Sequence, residues 1–550
     1  MTSPASGAAD VVLSVKHVHD FADAHGDDAS VLAISNGVVE ATGRRLDDVS
    51  HLIGPGTRVI REEELVLVPG FFDTHNHLFM TSADVRRVEI SDCRSISEIV
   101  ERLHERAREL PPGEWVVANR GWHESTIEER RLPTALELDA VSREHPVYVP
   151  RGGHVGTANT YALDLSGVTA MKDDPPGGTI VRDEHGTALG PLIEFPATYR
   201  ILRFLPGDGR QSDPGMLKTA MDGYVARGIT AVRDPGIDAS NLAVYRQLHA
   251  DEGLPLRARV LMRLDAFNSA EQNLTQLDEY ESLRNQQDDV LRVEGIKIIA
   301  DGGVEGGWFS DPYVNRADFC GHAFYSREEL ESLVETAVRR GWKVGTHAVG
   351  DNAVRLVLDV YESVLAKVGA VKPGSLVIEH AFMADAQSRA RAVAAGIRVT
   401  VQHPLLYFLG GNMLTHWGPE RTAQVMPVAE WLADGGLIAG GSDCNVAPYD
   451  PLLAIWGFTT RGTKVAGVQG PSQAVDRRTA FSLYTEAGWR LTGEEHERGR
   501  LLPGFSADLV AYRQDPMTVD LDDLPSLSPA FTLMAGHPVH DPEGYFHDVV

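Results

Sequence analysis

The residues best placed to do chemistry lie in Val68-Pro69-Gly70-Phe71-Phe72-Asp73-Thr74-His75-Asn76-His77, an apolar run that ends in two histidines one residue apart. Residues two apart on a strand share a face, so His75 and His77 can present neighbouring imidazoles to one metal ion. Imidazole suits zinc and its first-row neighbours, and a strand end opening on a cleft leaves coordination positions for water and substrate. Two close histidines are also a common accident of a surface loop. The pair gains meaning only if other ligands complete it.

The elements that would have to bring such ligands together can be read between Gly228 and Asp443. Short apolar runs at 228–232, 258–262, 296–299, 342–346, 376–379, 397–401 and 437–441 alternate there with segments of helical period. This is the pattern of parallel strands with helical crossovers, and the run before His75 brings the number to eight. The expected fold is therefore α/β, a (β/α)8 barrel. One crossover helix should start at Ser326, where Glu329 completes a capping box and Leu330, Leu333, Val334, Ala337 and Val338 fall on one stripe. Chemistry on this barrel sits at the C-terminal strand ends. The polar residues at or near those ends are His75, His77, Lys297, His347, His380 and Asp443.

The barrel is expected to occupy residues 66–80 plus 215–499. Strand-like runs on both sides of the turn Ser35-Asn36-Gly37, and others near Leu509 and Phe531, predict a small β-sandwich built from residues 1–65 plus 500–550. Residues 81–214 are too many for one strand-to-helix connection, so they are expected to form an inserted subdomain capping the active site.

The ordered set His-x-His, Lys, His, His, Asp on strand ends resembles the amidohydrolase superfamily. Further phrases are similar to amidohydrolase family 3, which includes deformylase-like members: Gly295-Ile296-Lys297, Thr346-His347-Ala348-Val349-Gly350-Asp351, Ile378-Glu379-His380-Ala381, Gly440-Gly441-Ser442-Asp443, and Arg151-Gly152-Gly153-His154 in the insertion. The resemblance implies that His75, His77, Lys297, His347, His380 and Asp443 hold divalent metal, with zinc the expected element. It also implies two ions per chain, bridged by Lys297 after carboxylation with carbon dioxide. Charge supports this, because a carbamate, Asp443 and a bridging hydroxide together offset most of the charge of two divalent ions that a lysine ammonium would repel. An unmodified Lys297 beside a single ion is the alternative. Asn76, Cys444 and Gly306-Gly307-Trp308-Phe309-Ser310 depart from the family pattern where substrate should pack.

The implied reaction is hydrolysis of a carbon–nitrogen bond, in an amide, N-acyl or N-formyl group of a small organic substrate, by a metal-activated hydroxide. Asp443 would shuttle the proton. His154 could reach down from the insertion to polarise a carbonyl, and His403, just after the seventh strand, could point into the mouth. Trp122, Glu124 and Arg421 are candidates for the pocket wall that loop or core packing explains equally well, and Trp308 sits in the departing segment. Cys444 reads as a small buried side chain. The rival readings are a mononuclear deaminase that releases ammonia and a barrel that binds without catalysis.

The formal net charge of −27 excludes the basic surface that nucleic-acid binding requires. Cys93, Cys320 and Cys444 are isolated and odd in number, which gives no disulfide framework and suits a reducing cytoplasm. No run is long and apolar enough to span a bilayer. The expected partners are a small-molecule substrate and a second copy of the chain as a homodimer, with neither nucleic acid nor membrane.

Overall fold

The computed structural model describes residues 7–21, 29–209, 211–265, 268–285 and 287–546. The chain opens with β1 (Val11–Val18), β2 (Ala29–Ser35), β3 (Val38–Gly43) and β4 (Arg58–Pro69). The turn between β2 and β3 is Asn36-Gly37, with φ of 50° and 77°. Two successive positive φ values are what a two-residue hairpin needs to match the twist of its strands, and Asn-Gly is the pair that tolerates them best. β5 (Phe71–Asp73) follows β4 directly. The insertion contributes β6 (Val116–Val117), β7 (Val147–Arg151), β8 (Val155–Ala158), β9 (Thr179–Arg182) and β10 (Ala188–Ile193). Next come β11 (Ile229–Ile237), β12 (Arg257–Arg263), β13 (Leu291–Ile299), β14 (Lys343–Ala348), β15 (Leu376–His380), β16 (Arg398–Val401) and β17 (Ile438–Gly440). The last strands are β18 (Leu509–Tyr512), β19 (Phe531–Met534) and β20 (His537–His540).

β5 and β11 to β17 form one eight-stranded sheet in the order β17-β16-β15-β14-β13-β12-β11-β5, parallel at every pairing. All eight runs read as barrel strands lie in it. Between β17 and β5 the ladder gives way to Thr74, whose N–H and Oγ1 both donate to the carbonyl of Gly440, at 3.2 and 2.7 Å. Gly441 permits this seam, since a Cβ there would sit 2.7 Å from the His75 nitrogen. The helix Arg327–Arg339 has the expected cap, with Ser326 accepting from the Glu329 N–H, and it buries the expected stripe of Leu330, Leu333, Val334, Ala337 and Val338.

The two ends of the sequence meet in a second sheet, ordered β20-β19-β18-β4-β1-β2-β3. Neither end could cover its apolar residues alone. Leu13, Leu32 and Leu67 pack with Leu509, Phe531 and Leu533 on one face, while Val12, Val31 and Ala33 pack on Val49 and Leu52 on the other. The sheet curls back on itself, because Val39 in its edge strand exchanges backbone hydrogen bonds with Gly504 and Phe505.

The run before His75 is divided rather than continuous. β4 ends at Pro69 in the terminal sheet, Gly70 donates to Asp508, and Phe71 turns into the barrel by donating to Gly228. The insertion folds as a five-stranded sheet, β6-β7-β8-β10-β9, with apolar clusters around Ile99 and Leu103 and around Tyr148 and Leu192. Its β7–β8 hairpin carries Gly152, Gly153 and His154 to the barrel mouth, where they line the same cavity as His347 and Asp443. No helix among the described residues is long and apolar enough to cross a membrane.

Candidate metal centre

His75 and His77 lie just past the end of β5, so strand alternation does not itself pair them. Each is held by an acceptor on its Nδ1. His75 Nδ1 donates to Glu379 Oε2 at 2.6 Å, and His77 Nδ1 donates to the Pro235 carbonyl at 2.8 Å. His380, the last residue of β15, donates through Nδ1 to Gln402 Oε1 at 2.8 Å. An imidazole whose Nδ1–H is given away keeps a lone pair on Nε2, the form in which histidine binds metal. The Nε2 atoms of His75 and His77 face Asp443 Oδ1 at 3.5 and 3.1 Å, and this buried oxygen receives no hydrogen bond from the described residues. Acceptors converging on an acceptor cost energy unless a cation lies among them. Ligand atoms of His75, His380 and Asp443 all lie within 4.8 Å of one another, so this donor set fits a divalent ion.

Lys297, on β13, places its Nζ 3.5 Å from His75 Nε2 and is 3% exposed. Burial lowers its pKa to about 8 against the opposing pull of Glu379 and Asp443, which makes the free amine accessible. Burial likewise takes His75 down to about 3 and His380 to about 4, so both are neutral. His347 ends up differently from the other histidines. Its ring lies 4.7 Å from that of His380, but its Nε2 contacts the Gly302 carbonyl at 3.2 Å, and it stands outside the tight three-residue set. The backbone at the site is constrained too, with His380 and Asp443 at φ of 73° and 57°. Side chains other than glycine rarely take such values without surrounding structure that enforces them, and such residues cluster at functional sites.

Several residues that organise the site were not singled out by sequence. Glu379 is fully buried and accepts from His75, from Arg233 at 2.6 Å and from Thr400 Oγ1 at 2.6 Å. Burial opposes its charge, but Arg233 and His75 hold its pKa well below the carboxylate range. Asp301 takes three backbone N–H groups, from Trp308, Val349 and Gly350, and fixes the loops beside His347. Glu194 holds His154 Nδ1 at 2.7 Å and accepts from the Gly303 N–H. A charged residue inside an otherwise apolar strand, as in Ile378-Glu379, was the available signal. Glu194 had none, because its partner is 40 residues away.

His154 does reach the barrel. Its ring stacks 5.9 Å from that of His347 and borders a cavity with His380 and Asp443, whose remaining walls include Phe382, Leu405 and Val446. Burial opposes its protonation, yet Glu194 raises its pKa above the ordinary histidine value.

His403 does not face the mouth as expected. It is the first residue of a helix, fully buried against Gly457 and Phe458, and it does not border the cavity. Of the two readings open for Trp122, core packing holds: it belongs to the insertion's core and donates to the Pro150 carbonyl. Arg421 is spent on the carbonyls of Asp311 and Pro312 and lies over the Phe309 ring. Trp308 is anchored by its N–H on Asp301 and does not border the cavity, while Glu124 touches the cavity's Arg151 only from behind. Cys444 is buried beside Thr81, and burial pushes its thiol up to about 12.

Known proteins share this architecture. The N-substituted formamide deformylase of Arthrobacter pascens is 29% identical over 526 residues, covering 94% of this chain and 95% of that protein. An uncharacterized metal-dependent hydrolase from Pyrococcus horikoshii OT3 shares the fold with a TM-score of 0.71 at 24% identity, covering 93% of this chain and 99% of that one. Atrazine chlorohydrolase from Arthrobacter aurescens TC1, solved in complex with zinc, superposes with a TM-score of 0.54 at 13% identity over 96% of this chain and 95% of its own. The family model described as the amidohydrolase family matches residues 63–540, and the chain belongs to that family.

Proposed function

We propose that this protein is a metal-dependent hydrolase that cleaves the carbon–nitrogen bond of a small amide, with N-formyl and other N-acyl amines as its substrate class. The observation that carries the reading is the convergence of the His75 and His77 Nε2 atoms on Asp443 Oδ1, a buried carboxylate oxygen with no hydrogen-bond donor among the described residues. His75, His77, His347, His380, Lys297 and Asp443 would hold the metal, which is zinc in the atrazine chlorohydrolase structure. Carboxylated Lys297 and Asp443 would each bring one negative charge, and together with a hydroxide they would offset most of the charge of two divalent ions. When bound, such ions supply acidity to water and polarise a carbonyl.

The chain's own groups do the rest. Asp443 takes the proton of the attacking water and returns it to the leaving nitrogen. Glu379 keeps His75 in its ligating tautomer. His154, raised in pKa by Glu194, stands where it can donate a hydrogen bond to the substrate oxygen. Phe382, Leu405 and Val446 keep the cavity apolar, which strengthens each of these interactions.

The amidohydrolase resemblance and the deformylase relative direct the substrate choice, and a screen of N-formyl and N-acyl amines with product analysis tests it. Release of ammonia in place of an organic amine would favour a deaminase instead. One observation favours that single-ion alternative: the tight ligand set numbers three residues, and the Lys297 Nζ contacts His75 directly. Elemental analysis separates the two, with more than one metal equivalent expected from protein prepared without chelator. Lys297→Ala should lose metal and rate, and a short carboxylic acid should partly restore both.

A further inference from the structure

The cavity beside His380 and Asp443 has a second charged region in its wall, formed by Arg151 and Glu305. Glu305 is 8% exposed. Its Oε1 is saturated, accepting from the Arg151 guanidinium and from Asn412 Nδ2 at 2.6 Å. Its Oε2 has no hydrogen-bond partner among the described residues, and Glu305 is one of the residues that bound the cavity. Arg151 is occupied from behind as well, because Glu124 meets its Nε at 3.0 Å and its NH2 at 3.2 Å.

Two carboxylates therefore share one guanidinium. Among the neighbouring imidazoles, burial takes His123 down to about 3 and also lowers His416, while His154, which Glu194 and Glu305 raise, gives its Nδ1–H to Glu194 rather than to Glu305. Val304, Leu405 and Leu409 supply apolar wall around this group. A carboxylate oxygen on the wall of a largely apolar cavity with no protein donor is poorly compensated, and a ligand that brings an N–H recovers part of that cost. An anionic ligand finds no free guanidinium to pair with, because Arg151 is already claimed by both carboxylates.

We infer that Glu305, backed by Arg151 and Asn412, is a specificity subsite that selects substrates carrying a primary ammonium or similar N–H cation remote from the bond to be cleaved. The substrate class becomes a small amide with a cationic tail, a deepening that rests on the function proposed above. Arg151 and Asn412 act as positioning residues, holding one carboxylate oxygen so that the other stays available.

The test separates recognition from turnover. Methanesulfonamides of matched chain length, ending in an ammonium, a methyl group or a carboxylate, offer no carbon–nitrogen bond of the cleavable kind. They can be titrated calorimetrically into metal-loaded protein. The ammonium probe should bind about tenfold to a hundredfold more tightly than the methyl probe, and the carboxylate probe most weakly. Glu305→Gln, with metal content and far-ultraviolet circular dichroism matching the parent, should erase the ammonium preference while leaving the methyl probe unchanged. Equal binding of the three probes by the parent overturns the inference without any variant. So does an undetectable ammonium complex, a carboxylate preference, or an ammonium preference that survives Glu305→Gln. The corresponding formamides are assayed separately: discrimination in binding without hydrolysis of any formamide counts against the amide reading alone.

Discussion

Where the barrel strands begin, Arg257 and Arg259 of β12 and Arg292 of β13 are buried or half-buried against Asp289, Glu494 and Asp508. Arg259 grips Glu494 through two parallel hydrogen bonds of 2.8 Å and lies over the Trp489 ring. Where the strands end, the imidazoles of His75 and His77 and the Asp443 carboxylate face one another without a donor between them. Both ends place ionisable groups out of water, at a cost that only good pairing offsets. At the first end forked guanidinium–carboxylate pairs supply it, so the cluster ties strands to the helices that follow the barrel. At the second the pairing is incomplete without a cation, which is the mark of a site that binds and reacts.

Substitutions should therefore separate rate from stability between the two ends. The largest effect is expected from Asp443→Asn, which keeps size and one ligand oxygen but cannot take up a proton. Its single-turnover rate should fall by ~10²–10⁴-fold or more with at least part of the metal retained, both measured on one preparation. A metal-replete variant working near the parent rate would remove Asp443 from the mechanism.

Glu494→Gln should do the reverse, lowering unfolding free energy by about 3 kcal/mol while metal content and rate stay near the parent's. Burial opposes ionisation of Glu494, but Arg259, Arg292 and Arg498 bring its pKa from 4.5 down to about 2. A depressed carboxylate pKa stabilises the folded state fully above the unfolded value. That contribution is lost as pH falls through the folded one. The difference between parent and variant should then be constant above about pH 4.5 and shrink toward pH 2. Urea titrations at a series of pH values check this, and a difference independent of pH would show that Glu494 is not the group responsible.

Smaller effects sharpen the boundary of the reactive end. His154→Ala should slow turnover by roughly tenfold or shift substrate preference without changing metal content. Unchanged kinetics on every accepted substrate would return His154 to a packing role. His403→Leu should leave rate within about twofold of the parent and stability equal or higher, because both ring nitrogens of His403 are buried without partners among the described residues. A large loss of rate there would mean that His403 acts on the site through the helix it begins.

The ligand set was legible in the sequence because each member combines a metal-binding side chain with the end of an apolar run, a local signal repeated along the barrel. The support around it was less so. Glu379 stands one residue before a recognised histidine, but only the closed barrel shows that it reaches His75, 304 residues earlier. His403 carries the same residue type at a strand end and misled for that reason: a helix starts there and turns the ring toward Gly457. Trp122 and Trp308 were candidates for the substrate wall, but the bulk of Trp122 suits the insertion's core as well, and Trp308 is held through its backbone N–H on Asp301. Glu305 stands just before the segment that departs from the family pattern and carried no signal of its own, and its free oxygen is visible only once Arg151 and Asn412 are in place.

The path of β4 through the terminal sheet bears on how the protein comes into being. β4 leads within two residues into β5 and the His75-x-His77 pair, yet its partner β18 is translated hundreds of residues later, pairing Leu509 with Pro69. During synthesis the first ligand pair must wait on a strand with one edge open, while seven further barrel strands emerge and close the ring. Contacts between residues so far apart in sequence form slowly, and exposed strand edges invite association with other chains. Loading of metal should then lag behind completion of the chain, and shortening the chain before β18 should harm the yield of soluble protein more than the modest size of the lost segment suggests.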